Sequence, residues 1–116
     1  MKKIETFDDY QLATATTAKY PGALTGDIRA ISYTALGLGE AGEVQGKVKK
    51  VLRDDDGVVT HEKRKEIAAE LGDVLWYVAR LADEIGMSLN AIAQWNIDKL
   101  RDRAARGVLQ GSGDNR

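Results

Sequence analysis

Apolar residues recur every three or four positions along most of this 116-residue chain, the period of a helix that buries one face. The clearest run is Ile67, Leu71, Val74, Val78, Leu81 and Ile85. It predicts a helix that opens near Thr60 and continues through Glu84, with Leu71 and Val78 at the centre of its stripe. Gly86 supplies a stop, and Ser88 an N-cap for a last helix with Leu89, Ile92, Ala93, Asn96 and Leu100 along one face. At the start of the chain Thr6 and Asp9 have the spacing of a capping box ahead of Phe7, Tyr10 and Thr14. That helix should stop near Tyr20-Pro21-Gly22. Between these lies a second helix that begins within 27–32, ends near Arg53 before Asp54-Asp55-Asp56-Gly57, and carries Leu38, Ala41, Val44, Val48 and Leu52 on its apolar face. Ile31 to Leu36 also reads as a strand. The expectation is an all-α fold of about four helices, one domain over 1–116 with a loop-like tail at 107–116.

Charge changes the picture in two places. Glu40-x-x-Glu43 lies on the second helix and Glu70-x-x-Asp73 on the third, each bordering an apolar stripe. Residues three apart share a helical face, so packing the two helices together gathers four carboxylates. Such crowding is unfavourable without a counter-charge, and hard divalent cations take oxygen ligands of this kind and hold phosphates with them. The ordinary reading is a pair of solvated flanks, with Glu43 paired to Lys47 at i,i+4. Asn96 in the middle of the last helix's stripe, with Lys99 and Arg103 beside it, adds an amide and two cations that want acceptors such as a phosphate chain.

Composition narrows the alternatives. The net charge of -1 gives no electrostatic grip on nucleic acid. With no cysteine and one histidine, His61, any metal must be held mainly by oxygen. Met1 to Thr6 has no apolar leader-like run, and nothing approaches the length of a membrane span. A soluble, cytoplasmic protein without nucleic-acid or membrane partners is expected.

Gly37-Leu38-Gly39-Glu40-Ala41-Gly42 spells the glycine spacing of a dinucleotide loop, but no strand precedes it and only Val58-Val59 is available for a second. On a helix, Gly39, Gly42 and Gly46 instead make a smooth strip, and their cost in helix stability suggests that something packs closely there, another helix or a flat nucleotide group. Trp76 projects nearly opposite the third helix's core stripe. It implies a second buried face, covered by the last helix or by a dimer partner.

These motifs, with Gly-Glu-Ala-Gly-Glu-Val at 39–44, Glu-Leu-Gly-Asp-Val-Leu-Trp-Tyr at 70–77 and Asn96-x-x-Lys99-Leu100, resemble the MazG-like family of all-α nucleoside triphosphate pyrophosphohydrolases. The resemblance implies a MazG-like helical bundle completed as a homodimer or homotetramer. It also implies Mg²⁺, with Mn²⁺ as substitute, and hydrolysis of (deoxy)nucleoside triphosphates to the monophosphate and pyrophosphate. By position, Glu40, Glu43, Glu70 and Asp73 would hold metal, while Tyr77, Asn96 and Lys99 would contact substrate. Arg103 and Lys47 are further phosphate candidates. Many members carry one more carboxylate where Gly39 stands, so either Glu40 takes the task of orienting the attacking water or activity is altered. Two rivals remain open: a catalytically silent module that binds nucleotide or metal, and a di-iron bundle, which a single histidine disfavours.

Overall fold

The computed structural model describes residues 3–116, so the first two residues of the expected domain lie outside the described residues. Among the described residues five α-helices follow one another: α1 Phe7–Thr14, α2 Ile28–Gly37, α3 Ala41–Asp54, α4 His61–Glu84 and α5 Leu89–Ala105, with 3₁₀ turns at Ala15–Thr17 and Leu38–Glu40. No strand occurs among the described residues, and 31–36 is helical. None of these helices is long and apolar enough to cross a membrane.

The helix starts follow from local chemistry. Thr6 and Asp9 form the full capping box, Thr60 accepts from Lys63 N, and Ser88 accepts from Ala91 N. Asp27 caps α2 through the amide of Ala30 at 3.0 Å. Gly86, at φ 73°, turns the chain out of α4, and Asp56 and Gly57, both at positive φ, end α3. The second helix differs from expectation in one respect. It is interrupted by the 3₁₀ turn at Leu38–Glu40, so α3 sets off on its own axis with Glu40 at the joint.

Helix α4 is the centre of the fold and touches each of α1, α2, α3 and α5. Around Ala79, Ala82 and Leu89, with Tyr10, Val78 and Ile92 against them, lies the apolar core. Gln11, itself buried, stitches α1 to the α4–α5 turn by donating to Met87 O at 2.8 Å and accepting from Leu89 N at 2.9 Å. Asp8 adds bonds to Ser88 Oγ and Asn90 N.

Three expected faces are corrected. Leu71 is 53% exposed, since the core lies toward the C-terminal half of α4. On α3 the buried position is Val51, at 3%, with Val44 and Lys47 half-buried on the same side, while Leu52 is 72% exposed. The 3₁₀ turn resets the register that a continuous helix would have kept. Asn96 is exposed rather than buried. The eight-residue α1 covers only the first turns of the seventeen-residue α5, and the middle of α5 runs beyond it.

One polar group is buried with purpose. Glu84 accepts from Leu24 N and Gly26 N, each at 2.9 Å, and from the Tyr20 hydroxyl. It thereby ties the 20–26 segment to the end of α4. Arg80, fully buried one turn earlier, donates to Asp83, and its Nε and Nη1 have no hydrogen-bond partner among the described residues. Its charge is balanced by the neighbouring carboxylates. Burial alone would raise the Glu84 carboxyl. The bonds from Tyr20, Leu24 and Gly26, with the charge of Arg80, outweigh it and hold the group below its ordinary range.

Because the folded value is depressed, the stabilisation is present above the unfolded value of about 4.3 and is lost as pH falls through the folded one. Glu84→Gln, which leaves a donor unmatched and Arg80 less balanced, is expected to cost about 1–3 kcal/mol at pH 7. Thermal melts of both proteins should show that gap closing as pH is lowered below about 4.

Candidate metal and nucleotide site

Glu70 and Asp73 stand one turn apart on α4, facing the joint between α2 and α3, where Glu40 closes the 3₁₀ turn. Each offers a carboxylate oxygen, and the three oxygens lie within 4.8 Å of one another. Helices α3 and α4 form a hairpin through residues 55–60. Its register puts Glu40 opposite Glu70 and Asp73, while the charges of Lys47 and Lys50 act on Glu66. Three carboxylates at this spacing repel one another, and their hard oxygen donors suit a divalent cation that removes the repulsion.

Glu43 lies outside this group and is exposed on the first turn of α3. Turning a fourth negative charge toward water relieves the crowding. Lys47 faces the α3–α4 seam near Glu66. Asn96 and Lys99 are exposed on α5. Arg103 is buried, donating to the carbonyl of Asp114 at 2.7 Å, so the tail occupies it.

Beside the carboxylates is a cleft of about 370 Å³ lined by Thr17, Glu40, Asp73, Trp76 and Tyr77, within the size range of small-ligand sites. Tyr77 packs edge-on to Trp76 with ring centroids 5.0 Å apart, and Tyr33 tilts against it at 6.4 Å. The Tyr77 hydroxyl is held protonated above the usual phenol range, first by burial, then by Tyr33 and by the negative charges of Glu40 and Asp73. The Trp76 indole N–H donates to Thr17 Oγ1 at 2.9 Å, and its ring lies edge to face with Tyr20 at 6.2 Å.

Gly37 explains how Tyr77 fits. A Cβ there would fall 2.1 Å from a carbon of the Tyr77 ring, so the helix surface must be bare for the ring to lie on it. At Gly39, Gly42 and Gly46 a Cβ would meet nothing within 4 Å. The expected close contact along that strip is therefore not made among the described residues; the glycine that packs is the one before it.

Comparison with known proteins places this all-helical chain in a family. Residues 30–107 match the MazG nucleotide pyrophosphohydrolase domain. The chain belongs to the MazG family. It is also 56% identical over 111 residues to the Gene 37 protein of Mycobacterium phage L5, covering 94% of this chain and 97% of that one. No solved structure matches it. The matched span of the MazG domain begins inside α2 and contains all three gathered carboxylates, Trp76 and Tyr77. It leaves out Thr17 and Tyr20, which buttress the cleft from the N-terminal segment.

Sequence reasoning missed Thr17, Tyr20, Tyr33 and Glu84. For Glu84 a signal existed: Glu70, Asp73, Tyr77, Arg80 and Glu84 follow one another at spacings of three and four, a single face of α4. The Thr17 and Tyr20 contacts span about sixty positions and leave no local trace.

Gly37→Ala should force the Tyr77 ring off α2 and destabilise the protein by about 1–3 kcal/mol. Gly42→Ala, where space is open, should instead gain up to about 1 kcal/mol of helix stability. Denaturant midpoints of the two variants, moving in opposite directions, check this.

Proposed function

We propose that this MazG domain hydrolyses (deoxy)nucleoside triphosphates to the monophosphate and pyrophosphate, using Mg²⁺ held by Glu40, Glu70 and Asp73. The observation that carries the reading is the meeting of three carboxylate oxygens within 4.8 Å at the mouth of an aromatic cleft. When bound, the ion would neutralise the carboxylates, fix the triphosphate and stabilise charge on the reacting phosphate. Manganese, with similar oxygen preference, is an expected substitute.

In this reading Glu40 orients the attacking water and accepts its proton as the oxygen bonds to the α-phosphorus and the bond to pyrophosphate breaks. It does so in the absence of a carboxylate at Gly39. Glu43, three residues on, would add a further carboxylate to the ligand set once the crowding is neutralised. Trp76 and Tyr77 receive the flat base, for which aromatic edges and faces are suited. Asn96 and Lys99, exposed on α5 and not among the residues lining the cleft, would meet the phosphates in an assembly that brings α5 of a second copy to it. A homodimer or homotetramer is therefore part of the proposal. Exposed Leu12, Ile28, Leu36, Leu52 and Leu71 offer apolar surface for it. Removal of unwanted triphosphates from the nucleotide pool, in the cytoplasm, is the role this chemistry suits.

Gly39 motivates one rival, a catalytically silent helical dimer that binds nucleotide or metal. Pyrophosphate release from a panel of (d)NTPs, with and without Mg²⁺, separates the two. The expected result is Mg²⁺-dependent release that Glu70→Gln lowers at least about a hundredfold with helicity unchanged. Nucleotide-induced thermal stabilisation with no pyrophosphate from any substrate would favour the silent module.

A further inference from the structure

We propose that Glu84 is a positioning residue for the nucleotide cleft, acting through the hydroxyl and ring of Tyr20 to hold Trp76 and Tyr77 in place; this rests on the nucleotide reading of the cleft. Glu84 is not among the residues that line the cleft. Its influence passes through one ring. Tyr20 donates its hydroxyl to the buried carboxylate, stacks on Tyr33 with centroids 5.4 Å apart and planes 10° from parallel, and meets the edge of Trp76 at 6.2 Å. Tyr33 in turn leans on Tyr77. A single tethered side chain thus props both aromatic walls, one directly and one through Tyr33.

The segment that delivers Tyr20 is built under strain. Leu24 sits at φ 67°, a left-handed conformation that an L side chain rarely adopts, between Gly22 at 71° and Gly26 at 72°. The amides of Leu24 and Gly26 are bound by the same carboxylate that accepts from Tyr20. At Gly26 a Cβ would come 3.0 Å from the carbonyl of Glu84 itself, so the segment lies close against the end of α4. A connection needed only to join the 3₁₀ turn at Ala15–Thr17 to α2 could relax out of this shape. Holding it fixes where the Tyr20 ring stands. The Thr17 hydroxyl, three residues before Tyr20, fixes the indole nitrogen of Trp76 from the same segment.

A residue that sets the walls but not the carboxylates should affect how well the nucleotide is held and leave the chemical step alone. Tyr20→Phe keeps the ring and removes the tether. It is expected to raise KM for the preferred triphosphate about tenfold, with kcat within about twofold and Mg²⁺ dependence unchanged. Glu84→Gln should shift KM in the same direction, and the double variant should be no worse than the more affected single one, because both act through one contact.

Binding is read independently of turnover in a Trp95→Phe background, which leaves Trp76 as the only tryptophan. Its fluorescence is titrated with a triphosphate whose α,β bridge is a methylene group. There Tyr20→Phe should raise the Kd by the same factor. Unchanged KM and Kd in Tyr20→Phe would overturn the proposal, as would a loss of kcat with KM intact, the mark of a merely reduced folded fraction. If the parent protein binds the analogue but releases no pyrophosphate, the hydrolase reading fails and the Kd comparison alone decides the role of Glu84. If the parent neither turns over nor binds, both fall.

Discussion

Everything in this molecule hangs on a conflict along one face of α4. The helix runs through the middle of the fold and touches every other helix. Yet the face it turns toward α2 and α3 carries Glu70, Asp73, Tyr77, Arg80 and Glu84 at helical spacing, where a bundle would ordinarily place apolar side chains. Charges in such a place must be paired or neutralised. The two ends of the stripe do this differently. At the C-terminal end Glu84 is satisfied by three donors from the 20–26 segment and by the nearby charge of Arg80. Toward the N-terminal end Glu70 and Asp73 meet Glu40, a third negative group. One end is closed by the chain itself; at the other, the proposed cation would supply the balance.

Tyr77 and Trp76 occupy the space between these two ends, and their positions depend on both. Gly37 supplies the bare surface on which the Tyr77 ring rests. The 3₁₀ turn that follows swings Glu40 toward Asp73. A short stretch of α2 and its exit therefore shapes the aromatic wall and completes the acidic cluster together. This packing accounts for Gly37; at Gly39 and Gly42 a Cβ would meet nothing within 4 Å.

Much of this was legible in the sequence because it is local. Thr6, Thr60 and Ser88 announce helix starts through their own side chains, and Glu70 and Asp73 share a face by spacing alone. What was not legible depends on partners far along the chain. Asn96 reads as a core position from its own helix, and only the shortness of α1 leaves it uncovered. The glycine strip promised a close packing partner that Gly37 has instead, because the direction of each glycine depends on a 3₁₀ turn with no distinctive residue to mark it. Trp76 pointed to a second buried face, and Thr17 and Tyr20, from far earlier in the chain, stand against it.

The acidic end of the stripe is where the account is most exposed to test. Electron paramagnetic resonance of Mn²⁺ titrated into the protein, in the presence of a non-hydrolysable nucleoside triphosphate, reports directly whether Glu40, Glu70 and Asp73 hold a divalent ion. Saturable binding is expected, which Mg²⁺ displaces and Glu70→Gln removes while the helices stay folded. Manganese binding no tighter with the protein than with the nucleotide alone, or binding that Glu70→Gln leaves intact, would contradict it.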